Sequence, residues 1–301
     1  MPERLRAHRR CLAAGLAALA VAGCAGQSSS LAGGGAGSAP AAAGGDPGVV
    51  HVHGLGVDPA DGVLYAATHA GVFAIPASGP AARVAGRFQD TMGFTVVGPH
   101  TFLGSGHPDP NTDPTLPPRL GLIRSSDAAR TWTALSLQGQ ADFHSLHALG
   151  STVYGWDAGS GTFMVSSDGG QIWQNRSQLE LLDFAVDPVA HAMVLATTPQ
   201  GLMRSSDGGA TFKPAPGPSL VALSWPTAKQ LVGLDANGRV QVSSDGGASW
   251  APRGVLPGSP EALVWSGSVM YAAVAQDGIY ASRDGGRSWT LRYNEKAGPP
   301  G

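Results

Sequence analysis

From Val49 onward the chain alternates short apolar runs with clusters of Gly, Pro, Asn and Asp; Met193 to Thr197, Leu231 to Leu234 and Met270 to Val274 are typical runs. Runs of this length with breakers on both sides predict β-strands joined by turns. The strands come in groups. Five segments are versions of one pattern, S-x-D-x-G-x-[ST]-W: Ser125 to Trp132, Ser166 to Trp173, Ser205 to Phe212, Ser243 to Trp250 and Ser282 to Trp289. Their aspartates, Asp127, Asp168, Asp207, Asp245 and Asp284, are 41, 39, 38 and 39 residues apart, a period that fits one four-stranded propeller blade. A sixth unit lies upstream. Val57-Asp58-Pro59 followed by Leu64 to Phe73 matches Val186-Asp187-Pro188 followed by Val194 to Met203, and its own turn is reduced to Pro76-Ala-Ser-Gly79. The expectation is an all-β, six-bladed β-propeller. Strands A to D of each blade run outward from a central channel, with the S-x-D turns between strands C and D.

The repeated segment has the chemistry of a turn. Asp accepts from backbone N–H groups ahead of it, Gly takes positive φ without a Cβ clash, and the closing aromatic buries a large surface as the next strand begins. The pattern resembles the Asp-box, or BNR repeat, of sialidases and sortilin-like receptors. That resemblance implies a structural role for the five aspartates, remote from any active site.

The first residues read as an export signal. Arg4, Arg6, Arg9 and Arg10 precede an apolar run from Cys11 to Gly23 that is too short to span a bilayer. Val21-Ala-Gly-Cys24 resembles the lipobox of bacterial lipoproteins, which makes Cys24 the expected lipid-attachment residue and the first residue of the mature chain. Residues 1–23 are then the signal peptide and 24–48, rich in Gly, Ala and Ser, a flexible tether. Residues 49–301 form a single propeller domain of 253 residues. No internal disulfide is available, because Cys11 lies in the removed segment. Without the signal the chain carries 15 basic and 20 acidic side chains, which argues against a nucleic-acid partner. A monomer anchored at the membrane surface of the cell envelope is expected.

Histidine is distributed unevenly. His51, His53, His69, His100, His107, His144 and His147 all fall in the first three units, and the last three hold His191 alone. His69 and His107 lie at B–C turns, and His51, His53 and His144 lie at the starts of strands A together with Asp90, Met92 and Asp142. In a propeller these positions share one rim, opposite the S-x-D turns. Two residues apart on a strand, His51 and His53 are expected on one face. Imidazoles with one or two carboxylates suit zinc, copper or iron, and Met92 favours copper. The insertion Gly106 to Pro118 is a Pro-stiffened loop expected to offer Asp109 at the channel mouth. His100, His147 and His191 read as ordinary hydrogen-bonded histidines.

Beyond the repeats, the segments His51-Val-His-Gly-Leu, Ala67 to Phe73, Asp90 to Val96, Gly104 to Pro110, Leu120-Gly-Leu-Ile and Ala141-Asp-Phe-His144 resemble a bacterial group labelled glycosyl hydrolase or exo-sialidase-like. The resemblance implies a hydrolase as an alternative to a binding module. Glycoside hydrolysis needs two carboxyl groups flanking the bond, and Asp90, Asp109, Asp142 and Asp157 are the rim candidates. The Arg-Ile-Pro element of sialidases is missing, since Ala74 precedes Ile75-Pro76. No Glu is placed beside a Tyr on that rim. A third alternative is an interaction or assembly scaffold, with a glycan or an envelope protein as partner.

Overall fold

A computed structural model of the chain describes residues 46–294. The expected signal peptide, Cys24 and the tether as far as residue 45 lie outside the described residues. Twenty-four strands form six antiparallel sheets of four consecutive strands each. Blade 1 holds β1 (Val52–Val57), β2 (Leu64–Thr68), β3 (Gly71–Ile75) and β4 (Ala82–Arg83), and blade 2 holds β5 (Asp90–Gly98), β6 (Thr101–His107), β7 (Leu122–Ser125) and β8 (Thr133–Ser136). Blade 3 holds β9 (Phe143–Leu149), β10 (Thr152–Asp157), β11 (Thr162–Ser166) and β12 (Gln174–Gln178). Blade 4 holds β13 (Asp183–Val186), β14 (Val194–Thr198), β15 (Gly201–Ser205) and β16 (Lys213–Pro214). Blade 5 holds β17 (Ala222–Thr227), β18 (Gln230–Leu234), β19 (Arg239–Ser243) and β20 (Ala251–Val255). Blade 6 holds β21 (Pro260–Ser266), β22 (Val269–Val274), β23 (Gly278–Ser282) and β24 (Thr290–Asn294). This is the expected six-bladed propeller, with the first strand of every blade lining the channel. Among the described residues no helix is long and apolar enough to cross a membrane.

The core is divided into six seams, each shared by two neighbouring blades. Phe163 and Tyr154 of blade 3 pack on Phe184, Val186 and Val194 of blade 4, and Leu234 and Val240 of blade 5 pack on Met270 and Val274 of blade 6. The last seam joins Leu55, Leu64, Phe73 and Ile75 of blade 1 to Ala262, Ala273 and Ile279 of blade 6. Among the described residues no strand is exchanged between these two blades. Closure therefore rests on side chains: this seam, the Arg292 guanidinium donating to the Ile75 and Pro76 carbonyls, and Glu261 accepting from Val52 N at 2.9 Å.

The five S-x-D turns join the third and fourth strands of blades 2 to 6. In blade 3, Ser166 Oγ donates to Asp168 Oδ1 at 2.7 Å and accepts from Gly170 N at 2.9 Å, while Asp168 Oδ1 accepts from Ile172 N at 3.0 Å. Thr131, Thr211, Ser249 and Ser288 add a hydroxyl donor to the other carboxylate oxygen of their turns. These donors hold Asp207, Asp245 and Asp284 far below the ordinary carboxylate range. Each turn also seals a seam. A Cβ on its second glycine would lie 2.2 Å from Phe163 Cε1 at Gly209, 2.2 Å from Leu122 Cδ2 at Gly170 and 2.8 Å from Val240 Cγ1 at Gly286. All three neighbours belong to the preceding blade.

The two glycines of a turn should therefore differ in their tolerance of a methyl group. Gly285 has φ +72 and open space, whereas Gly209 has φ +81 and abuts Phe163. Gly285→Ala is expected to cost about 1 kcal/mol of backbone strain, and Gly209→Ala about 3 kcal/mol because overpacking is added. Urea denaturation of the two variants measures the difference; equal losses would refute the seam assignment.

Candidate functional site

The mouth of the channel is shaped by β-bulges. The β1–β2 register runs Val52↔Thr68 and then Gly54↔Ala67, leaving His53 as the extra residue. The same irregularity falls at Met92 in β5, at His144 in β9 and at Glu261 in β21. A bulge breaks the alternation of the strand and re-aims one side chain. His51 lies just before β1, in the left-handed region at φ +51, which is rare outside glycine. Strand alternation is therefore not what unites His51 and His53, as the sequence suggested. A bulge and a left-handed residue bring them together.

Three rings of blade 1 converge. His51 and His69 stack at 4.6 Å with an interplanar angle of 11°, and His53 stands edge-on to both, at 4.7 and 4.4 Å. One nitrogen of each ring lies within 4.8 Å of the others. His53 Nε2 is 3.2 Å from His69 Nδ1, His69 Nδ1 is 2.9 Å from Asp90 Oδ1, and His53 Nε2 is 3.6 Å from the same oxygen. In a tetrahedral site with bonds of about 2.0–2.1 Å, neighbouring ligand atoms are roughly 3.3 Å apart. His51 Nδ1 donates to Glu261 Oε1 at 3.1 Å, which leaves its Nε2 as a lone pair. Burial, followed by the charges of His69, His51, His144 and His107, pushes the His53 imidazole down to about 3, so this ring is neutral at ordinary pH.

His107 and His144 gather around a different carboxylate. His144 Nε2 is 3.2 Å from Asp142 Oδ2 and His107 Nε2 is 3.8 Å from it. Burial pushes the Asp142 carboxyl up, but the hydrogen bond from His144 and the charges of His144, His107 and Arg119 hold it below its ordinary value. The insertion folds back so that the Pro118 carbonyl accepts from His107 Nδ1 at 2.6 Å. Gly106 makes room beside it, since a Cβ there would meet Asp90 O at 2.1 Å.

Other expected site residues are engaged elsewhere. Asp109 is 1% exposed and accepts from Phe88 N and Asn111 N at 2.8 Å; the loop uses it internally and does not offer it at the mouth. Asp157 is also buried, accepting from Asp142 N, Gly159 N and Ser160 Oγ. Both lack a free carboxylate edge, and neither is a candidate for acid–base work. Met92 occupies the blade 2 bulge. His100 is tied to the buried Asp58, with Nδ1 2.7 Å from Oδ2, and His191 Nε2 lies 3.3 Å from the Pro188 carbonyl. His147 departs from its expected hydrogen-bonded state: its Nε2 is buried without a partner among the described residues.

Two residues were missed in the sequence, Glu261 and Asp183. Both stand at the start of a strand A, the position that singled out Asp90 and Asp142, and applying the rule to blades 4 and 6 would have found them. Asp183 accepts from Leu223 N and Phe184 N at 2.8 Å. Below the mouth the channel encloses about 550 Å³, and His53, His144, His147, Asp183 and Glu261 are among its lining residues.

The comparisons place the fold and nothing narrower. No family model and no curated protein matches the chain. Solved propellers do. A GH74 xyloglucanase from Xanthomonas campestris superposes with a TM-score of 0.54 at 16% identity, over 81% of this chain and 45% of that one. YCF48 bound to D1 peptide gives 0.52 at 13% identity, over 83% and 85%. A chain of a nidogen/laminin complex gives 0.57 at 12% identity, over 77% and 95%. This chain thus spans less than half the length of the GH74 enzymes it resembles. At these identities the likeness is one of fold.

Two half-buried channel groups titrate in opposite senses. Burial pushes His147 down to about 4 and Asp183 up to about 6. The unfolded chain binds more protons than the folded one at His147 between about pH 6.5 and 4, so that residue costs stability as pH falls; Asp183 does the reverse between about 6 and 4. From pH 7 to 5, His147→Phe should gain about 2 kcal/mol relative to wild type and Asp183→Asn should lose about 1 kcal/mol. Chemical denaturation at the two pH values tests both signs.

Proposed function

We propose that this protein is an exported, lipid-anchored propeller that binds a divalent transition-metal ion at the channel mouth, through His51, His53 and His69 with Asp90. The observation that carries this reading is the mutual spacing of His53 Nε2, His69 Nδ1 and Asp90 Oδ1, at 2.9 to 3.6 Å, which matches ligand atoms around one small cation. Glu261, accepting from His51 Nδ1, has the place of a carboxylate that orients a ligating ring and raises its basicity. Imidazole and carboxylate donors suit zinc or copper, and Met92 in the neighbouring bulge favours copper. Lipid attachment at Cys24 would keep the protein at a membrane surface.

A hydrolase reading is weaker. With Asp109 and Asp157 committed to internal hydrogen bonds, Asp90 and Asp142 remain, and each is bound to histidine. Likeness to a xyloglucanase extends to the fold, and likeness to YCF48 with its D1 peptide likewise supplies no partner.

Metal analysis of tag-free protein should find zinc or copper, and His53→Ala/His69→Ala should weaken zinc binding by more than about 100-fold, with Glu261→Gln weakening it by about 10-fold. Unchanged zinc affinity in the double variant would remove the reading. For the anchor, Cys24→Ser should move the protein from the membrane pellet to the soluble fraction; retention in the pellet would show another mode of attachment.

A further inference from the structure

The S-x-D face of the ring carries a charged groove as well as structural turns. Arginine at the second position of the pattern occurs in blade 6 alone, where Arg283 stands in the place of Ser126, Ser167, Ser206 and Ser244. Between this turn and blade 5 lies a groove of about 600 Å³, lined by Lys229, Arg253, Arg283 and Arg287 together with Trp250 and Trp265. The four cationic residues are exposed and the two tryptophans part-exposed. A comparison with blade 3 shows why Arg253 is free. Arg176 follows Trp173 by three residues, as Arg253 follows Trp250, and its Nε and Nη2 donate to the Gly208 and Asp207 carbonyls of the next blade's turn at 3.2 and 3.1 Å. In blade 6 the corresponding Asp284 carbonyl is taken by Arg287 Nη1 at 2.9 Å, whereas blade 4 has Ala210 at that position. The backbones still meet, since a Cβ on Gly254 would lie 2.3 Å from Gly286 O and 2.6 Å from Arg287 O. Arg253 is thus brought against the blade 6 turn, and among the described residues its guanidinium has no hydrogen bond or ion pair, nor have the side chains of Lys229 and Arg283.

The nearby carboxylates are consumed by their own turns. Asp284 accepts from Ser288 N and Oγ at 3.0 and 2.6 Å, and Asp245 from Ser249 N and Oγ at 2.9 and 2.5 Å. Four cations gathered in one groove repel one another, in a mature chain that otherwise has more acidic than basic side chains. An anion from outside relieves that repulsion.

We propose that the groove between blades 5 and 6 binds an anionic saccharide, with Lys229, Arg253, Arg283 and Arg287 recognising its acidic groups. Guanidinium forks match carboxylate and sulfate oxygens in pairs, and Trp250 and Trp265 add flat apolar surface of the kind on which the C–H face of a sugar ring stacks. The volume suits a ligand of a few sugar units. Its concave shape favours a chain that enters the groove over a flat lipid surface. This site uses none of the mouth residues and does not depend on metal binding there.

Calorimetric titration of the tag-free mature chain with oligogalacturonate, which is carboxylated, and with heparin oligosaccharide, which is sulfated, tests the proposal. At least one should bind, more weakly as salt is added, while a neutral maltooligosaccharide should not. Arg253→Gln/Arg283→Gln should weaken binding by about 10-fold or more, since each lost contact is a hydrogen bond to a charged group. Arg253→Lys/Arg283→Lys should recover part of it. Arg124→Gln/Lys213→Gln removes two exposed cations outside the groove and should leave binding unchanged. Failure of both acidic saccharides to bind wild type would overturn the proposal, as would an equal loss in the two Gln pairs, which would mean diffuse attraction. Tighter binding of polyglutamate or of anionic vesicles than of either saccharide would also overturn it, in favour of an acidic peptide or a lipid surface.

Discussion

Everything in this molecule depends on closing a ring without a shared strand. Each blade is continuous in sequence, so the first and last blades are held by what their side chains do across one seam. Apolar burial supplies most of that attraction. Five of the six seams are sealed by a glycine or alanine of an S-x-D turn against the preceding blade; Ala129, at φ +66 and 2% exposed, takes that place between blades 1 and 2. The sixth seam has no such turn, because Pro76 to Gly79 no longer carries one. Arg292 and Glu261 are bound across that seam.

The same constraint sets the chemistry of the mouth. Strands A must converge at the axis while keeping their pairing to strands B, and in four blades the mismatch is taken up as a bulge. The side chains released from the ladder are His53, Met92, His144 and Glu261. A bulged residue has lost the period-two alternation, so it is free to face its counterparts from neighbouring blades. Polar side chains thus sit where the backbone is already irregular, and the regular strands beneath keep their apolar faces for the seams.

Much of the fold was legible because each repeat states it locally. The spacing of Asp127 to Asp284 set the blade length, and the match between Val57 to Phe73 and Val186 to Met203 revealed the unit that had lost its turn. The histidine enrichment of the first three units corresponds to rings that gather in space, His51 with His53 and His69, and His107 with His144 at Asp142. The failures have one cause, namely that position along a strand does not report which backbone groups a side chain must satisfy. Asp109 and Asp157 looked like offered carboxylates, yet both are consumed by nearby N–H donors. His51 and His53 were assigned to one face by alternation and meet for a different reason. Glu261 is 210 residues from His51, and only the closed ring makes them neighbours.

That last pair would couple the stability of the ring to metal binding at the proposed site. Glu261 uses one oxygen to hold Val52 N, across the seam between blades 6 and 1, and the other to orient His51. A metal ion taken up at the proposed site would draw His51, His53 and His69 together with Asp90, and so join blade 1 directly to blade 2. Through Glu261 it would also tighten the contact of blade 1 with blade 6. A ligand that binds the closed ring and not the open chain stabilises the ring by its own binding free energy. In this architecture that free energy would act on both sides of blade 1, beside the one seam that lacks a turn to seal it.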